Sequence, residues 1–312
     1  MPFTKIVVAG STGALADHVL RAVLSSTEPK FEVTVLTRKG SDKVPSLPGA
    51  KLVPVDYSDH QALVQAVSGH DAIVSLVGGM AANPVDSALL KAAQAAEVRR
   101  IFTSEYTVDI LHPAMVSLYS GEGWPEHWDT HLKKARRFAA LADAGSSTSY
   151  TTLMPSAFVD NWLAGVYGNF DPKGRKVTLI DGGDFPFTGC SLEFLAACIV
   201  AALQMPEEET KNKRIPVSEV RTTMKEIVRV FEKVTGDSFT VDNVTSKSLL
   251  DARAGAFKDE VFPMAAMYTH VVGAFNGQGA GDLQEGLKFD GDGFLTMKRK
   301  TIEELAVAAL DN

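Results

Sequence analysis

Cysteine is almost absent from this chain. Its 312 residues include two, Cys190 and Cys198. That excludes a disulfide scaffold, and a chain this long buries a core without one. Two lone thiols fit a reducing compartment. Basic charge is also scarce. Lys and Arg number 31 against 38 Asp and Glu, a net charge of −7, which argues against a nucleic-acid partner held by a basic surface. No apolar run approaches the roughly 20 residues of a membrane-spanning helix. The longest, Phe194 to Leu203, is short and helix-like. The start does not read as a secretory leader, because Ile6-Val7-Val8-Ala9 is broken at once by Gly10-Ser11-Thr12-Gly13. Such a leader needs a longer apolar stretch. A cytoplasmic location without membrane attachment is therefore the default expectation. Disorder is excluded as well: 45% of residues are hydrophobic and 22% charged, the balance of a folded globular protein. The length points to about two domains.

What is present is an alternation of strand and helix. Ile6–Ala9, Val33–Leu36, Lys51–Val55, Asp71–Val77 and Arg99–Thr103 read as short, mostly apolar strands. Pro54 favours a sheet edge for the third. Helical spacing fills the intervals at Ala14–Val23, with Leu15, Val19, Leu20 and Val23 on one face, and at His60–Val67 and Ser87–Ala96. Continuous apolar strands separated by helices predict an α/β fold, a doubly wound parallel sheet of the Rossmann type, covered on both faces. Ligands of such sheets bind beyond the carboxyl ends of the strands. After residue 155 the alternation loosens. Strand candidates at 176–180, 185–188 and 238–244 are separated by helices at 191–204 and 220–234. The expected division is 1–155, a dinucleotide-binding domain, and 156–312, a smaller α+β substrate region that can intertwine with the first.

The first strand–helix junction carries the strongest chemical signal. Gly10-Ser11-Thr12-Gly13-Ala14-Leu15-Ala16 has the spacing GxxGxxA. Gly10 permits the tight turn, Gly13 allows close approach of a pyrophosphate, and Ala16 lets the helix pack closely on the strand. The helix amino-terminus offers N–H groups to the anion. The end of the second strand selects the dinucleotide. A site for NAD usually places a carboxylate there, on the ribose 2′-hydroxyl. This chain has Thr37-Arg38-Lys39-Gly40-Ser41, whose cations and hydroxyls suit a 2′-phosphate. NADPH/NADP is the expected cofactor.

The reacting group is not the tyrosine of common short-chain dehydrogenases. None of the six tyrosines (57, 106, 119, 150, 167, 268) has lysine four positions later. The segment from His127 to Gly145 reads as a helix carrying Lys133-Lys134-Ala135-Arg136-Arg137, and its start falls near the carboxyl edge of the sheet. A lysine there can have its pKa lowered by desolvation and by cations facing it, here Arg136 and Arg137, and then serve in acid–base chemistry. The same run also reads as a solvated helix face.

Gly10-x-x-Gly13, Thr37-Arg38, the segment Ile101-Phe102-Thr103-Ser104-Glu105-Tyr106 with Asp109, and Lys134 eleven residues before Gly145 together resemble the NmrA-like and isoflavone-reductase-like family of atypical short-chain dehydrogenases. The plant branch includes the phenylcoumaran benzylic ether reductases. Arg100 to Tyr106 is similar to that branch's arginine-phenylalanine-hydrophobic-proline-serine-glutamate motif, with Thr103 in place of proline and Thr107 in place of the following glycine. In the plant branch an arginine pair follows the catalytic lysine by about one helical turn. Here Arg136-Arg137 departs from that spacing and begins two residues after Lys134; the distance to Gly145 favours Lys134, and Lys133 stays open. Leu153 to Phe158, Lys176 to Leu203 and Val220 to Gly236 resemble the family's later elements. The last sixty residues match least and are expected to shape the substrate pocket. The resemblance implies NADPH-dependent reduction of a small aromatic or polyketide-like metabolite, in secondary metabolism, with Lys134 assisting proton transfer. The expected cofactor contacts are Gly10, Ser11, Thr12, Gly13, Ala14, Leu15, Thr37, Arg38, Lys39, Lys134 and Phe158, and the expected substrate contacts are His127 and Trp128, which precede Lys134, with Phe158 and Trp162. Two alternatives remain: a non-catalytic NADP(H)-sensing regulator that binds a protein partner, and a cofactor-assisted isomerase.

Other constellations carry less. His127 and His131 stand four apart, but Trp128 occupies the glutamate position of a zinc-protease helix and no third ligand is evident. No metal is expected. Asp290-Gly291-Asp292-Gly293 has Thr301 where a calcium loop needs glutamate, so it reads as a polar turn. Phe158, Trp162, Phe262, Met264, Met267 and Tyr268 line an apolar pocket or pack in the core.

Overall fold

The computed structural model describes residues 3–41, 46–121, 123–165, 169–283 and 297–310. The Asp290–Gly293 turn lies outside them. The chain begins with β1 (Lys5–Ala9), α1 (Ala14–Ser25), β2 (Glu32–Arg38), β3 (Ala50–Val55), α2 (His60–Val67), β4 (Ala72–Ser75), α3 (Ala82–Ala95) and β5 (Arg100–Phe102). It continues with α4 (Pro113–Ser120), α5 (His131–Ala139), β6 (Ser149–Met154), β7 (Ala157–Phe158), α6 (Val159–Leu163), β8 (Phe170–Asp171), β9 (Lys176–Ile180) and β10 (Pro186–Cys190). The remainder is α7 (Leu192–Gln204), α8 (Glu207–Thr210), β11 (Lys213–Pro216), β12 (Val220–Thr223), α9 (Met224–Thr235), β13 (Thr240–Val244), α10 (Ser246–Lys258), α11 (Phe262–Phe275) and α12 (Ile302–Leu310).

The main sheet has the order β11-β6-β5-β4-β1-β2-β3, every pairing parallel. This is the doubly wound Rossmann arrangement, and its strand order reverses between β1 and β4, where such sheets bind ligands. Pro54 sits in β3 at the edge, where its missing N–H breaks no ladder. β11 comes from the second half of the chain and extends the sheet beyond β6. Residues on both faces of the strands are buried. On one face α1 and α7 share a core with β1 and β2. Ala16, Val19, Leu20 and Val23 are the buried side of α1, with Leu15 half-buried at the rim. On the other face α2, α3 and α5 supply Leu63, Val67, Leu89, Leu90 and Phe138.

The second half holds two three-stranded sheets, β12-β10-β7 and β13-β9-β8. Their core is aromatic: Trp162 stacks on Phe170, and Phe231 and Phe239 close around it. Cys190 and Cys198 are both buried, and neither forms a disulfide.

Two helices differ from expectation, and capping explains both. The 220–234 segment divides into β12 and α9, because Thr223 caps the helix by accepting the Glu226 N–H. The 127–145 segment is helical only over α5. Thr130 Oγ1 accepts the Lys133 N–H at 3.2 Å and fixes the start. His127 and Trp128 therefore lie in the preceding loop, and His127 and His131 share no helical face. Among the described residues no group of three or more His, Cys, Asp or Glu could hold a metal, and no helix is long and apolar enough to cross a membrane.

Candidate active site

The carboxyl ends of β1, β2, β4 and β5 bring the candidate residues to one edge of the sheet. Gly10 follows β1 with φ +90°. A Cβ there would stand 2.9 Å from the backbone of Leu76 and Val77 after β4, so only glycine fits. Gly13 forms the N-cap of α1 without any side-chain hydrogen bond, and the space beside it is open. The first N–H groups of α1 are thus left for an outside acceptor. Thr12, Gly13 and Ala14 are exposed, and Ser11 and Leu15 are half-buried. This cradle fits a pyrophosphate. Tyr57, absent from the sequence-based candidates, meets the backbone of Gly10 through its hydroxyl, and burial pushes that phenol up to about 12. At the end of β2, Thr37 is buried while Arg38 and Lys39 are exposed. Two cations at that position fit a ribose 2′-phosphate.

Lys134 lies on the inner face of α5 and is fully buried. Its Nζ stands 3.4 Å from Asp86 Oδ2 and 3.3 Å from Ser104 Oγ. Ser104 also binds Asp86, donating its N–H at 3.0 Å and its hydroxyl at 2.8 Å to Oδ2. Asp86 itself is fully buried, and its Oδ1 has no hydrogen-bond partner. Lys133 points the other way, donating Nζ to the loop carbonyls of Glu126 and Trp128. The geometry separates the two lysines that spacing left open. The expected crowding by Arg136 and Arg137 is absent. Arg137 pairs with Asp129 at 2.7 Å and Arg136 is exposed. The ion that faces Lys134 is an anion.

Behind this group lies a second layer. Glu105 is buried 2.5 Å from Arg214 Nη2, which also reaches Asp109 at 3.0 Å. Burial lifts the Glu105 carboxyl, against the pull of Arg214 and Lys134. Tyr106 donates its hydroxyl to the Ser75 carbonyl at 3.1 Å. On the side of α4 and α11, the His131 and His270 rings meet edge to face with centroids 4.8 Å apart, and His270 Nδ1 lies 3.0 Å from the Tyr119 hydroxyl. Burial holds both imidazoles below their usual range, His131 well below it. His131 Nδ1 and Trp124 Nε1 are buried without partners.

Of the expected substrate residues, His127 is exposed. Trp128 packs on Phe262 with centroids 5.0 Å apart. Phe158 is half-buried and packs against the core of the main sheet. Trp162 is 3% exposed, and its Nε1 donates to Asn169 at 2.7 Å. Its ring packs in the core with Phe170 and Phe187. Met264 and Met267 are exposed on α11.

Comparison with known proteins assigns the family. The profile of the NmrA-like family matches residues 3–305. The chain belongs to the NmrA-like family. Pinoresinol reductase 1 of Arabidopsis thaliana is 27% identical over 263 residues, 79% of each chain. The oxidoreductase poxI of Penicillium oxalicum is 24% identical over 261 residues, 81% of this chain and 77% of its own. The structure of AtPrR2 with NADP+ and (+)-pinoresinol superposes on this NmrA-like protein with a TM-score of 0.74 at 24% identity, covering 98% of this chain and 99% of that one.

Proposed function

We propose that this NmrA-like protein reduces a small aromatic or polyketide-like metabolite with NADPH, and that Lys134 handles the proton. The protein is an oxidoreductase, and NADP(H) is its cofactor. The observation that carries the mechanistic reading is the fully buried Lys134 beside the carboxyl end of β5, held by Asp86 and Ser104. An ammonium has three N–H donors, so one remains for a substrate oxygen.

Gly10 to Leu15 would hold the pyrophosphate through backbone N–H groups and the α1 terminus. Thr37, Arg38 and Lys39 would hold the 2′-phosphate. Lys134 and Phe158 would border the nicotinamide, with His127 and Trp128 on the substrate side. Bound NADPH supplies a hydride. Lys134 gives an Nζ proton to the atom that gains negative charge as the hydride arrives, and the resulting amine is reprotonated from water. Such proton transfer contributes about 10²–10⁴-fold to a rate.

The test is NADPH binding, followed by fluorescence, then loss of NADPH absorbance with a panel of aromatic ketones, quinones and enones. Binding with oxidation by at least one acceptor supports the reading. Binding with none oxidised counts against it and favours a regulator. Rearrangement of a panel compound with no net NADPH loss favours an isomerase.

A further inference from the structure

The Asp86–Lys134 pair is unusual among the described ion pairs because both side chains are fully buried. A buried ion pair is poor value as a stabiliser, since desolvation offsets most of its attraction. Its contacts are also long for a charge-assisted bond, 3.4 Å to the carboxylate and 3.3 Å to the hydroxyl. Ser104 ties the two together, because its hydroxyl donates to the same Asp86 Oδ2 that faces Lys134. The elements around the ammonium contribute few other charges: Glu105 after β5, itself neutralised by Arg214 of β11, and the two neutral imidazoles of His131 and His270. Among the described residues, Asp86 is thus the one anion given over to Lys134.

We propose that Asp86 is a positioning residue for the reaction. With Ser104 as the bridge, its carboxylate takes two of the ammonium's N–H directions and aims the third at the substrate. The proposal deepens the reading of Lys134 as the proton-handling group and rests on it. Asp86 lies on α3, one turn beyond Asn83, whose side-chain N–H donates to the Asp129 carbonyl in the loop ahead of α5. The helix that carries the anion is thereby fastened to the segment that leads into the lysine helix.

The test compares wild type, D86N, K134M and the double variant. NADPH affinity is read by fluorescence and kcat with an acceptor found in the panel. D86N is expected to keep NADPH affinity within about twofold and to lower kcat about tenfold or more, while the same change in the K134M background alters the residual rate less than about twofold. Equal losses in both backgrounds, or wild-type kcat in D86N, overturn the positioning role. K134M turning over like wild type overturns the lysine reading beneath it. K134M inactive beside a normal D86N overturns the positioning role alone. The pair is also read without turnover. Each single variant is expected to lower Tm, and the double variant to lose less than the sum, because neither charge is then left alone; additive losses would show that the pair is not formed. Should D86N fail to fold, S104A carries the kinetic test, with kcat falling about threefold or more only where Lys134 is present, and an unchanged kcat counting against the bridge.

Discussion

Two cations are buried at opposite ends of β5, and they are treated differently. Arg100 opens the strand. Its guanidinium donates to Ser149, Thr151 and Thr210 hydroxyls at 2.7–2.8 Å and to the Glu207 carbonyl at 3.0 Å, and it lies over the Phe3 ring. Burial pulls it down to about 10, opposed by Glu207, so it stays charged at neutral pH. Lys134 sits beyond the other end, with two long contacts and an anion whose second oxygen has no partner. A saturated cation knits strands together. An unsaturated one keeps a donor for something that arrives later. On the proposed reading of Lys134, the same strand separates a structural end from a chemical end.

Removing Arg100 should produce the largest change in stability. Arg100→Ala leaves three hydroxyls and the Glu207 carbonyl without the guanidinium, and with several buried acceptors unmet a loss of about 3–5 kcal/mol is expected in urea unfolding. The folded fraction should keep its NADPH affinity. A strong loss of affinity without a loss of stability would erase the distinction between the two ends.

Next in size is Arg38→Ala at the carboxyl edge. A charge-assisted bond contributes about 1.5–3 kcal/mol, so NADPH affinity should fall roughly ten- to a hundredfold while NADH affinity hardly moves. Equal losses for both, measured by fluorescence titration, would remove the 2′-phosphate assignment.

The smallest effect concerns the histidine pair beside Lys134. Burial depresses both imidazoles in the fold, whereas in the unfolded chain they titrate near about 6.5. Below that pH the unfolded state takes up protons that the folded state does not, so stability falls on acidification until the folded-state values are reached. The slope is at most about 1.4 kcal/mol per pH unit for each ring. His270→Gln should flatten the decline of Tm between about pH 7 and pH 5. An unaltered decline would place its origin elsewhere.

The sheet was legible in the sequence because buried parallel strands demand continuous Val and Ile runs, as in β1 and β4. The glycine loop was legible because Gly10 has a backbone and a neighbour that no other residue tolerates. β11 was not, since Lys213–Pro216 is short and polar and becomes a strand only by pairing with β6. Nor was α10, which has no buried face to leave a periodic trace. Within the site, Lys134 could be named but not told from Lys133 by spacing. Asp86 was missed, although the signal exists: it is a carboxylate on the side of α3 that carries Leu89, Leu90 and Ala93, all buried. The Glu105–Arg214 pair joins distant parts of the chain, which local patterns do not report.

The central claim is that the buried lysine is chemical and not structural. Single-turnover oxidation of bound NADPH by an acceptor found in the panel, in the K134A variant, tests it most directly, with Kd for NADPH measured on the same preparation. The expected result is an affinity within about threefold of wild type and a rate at least about a hundredfold lower. A K134A protein that oxidises NADPH at the wild-type rate would contradict it.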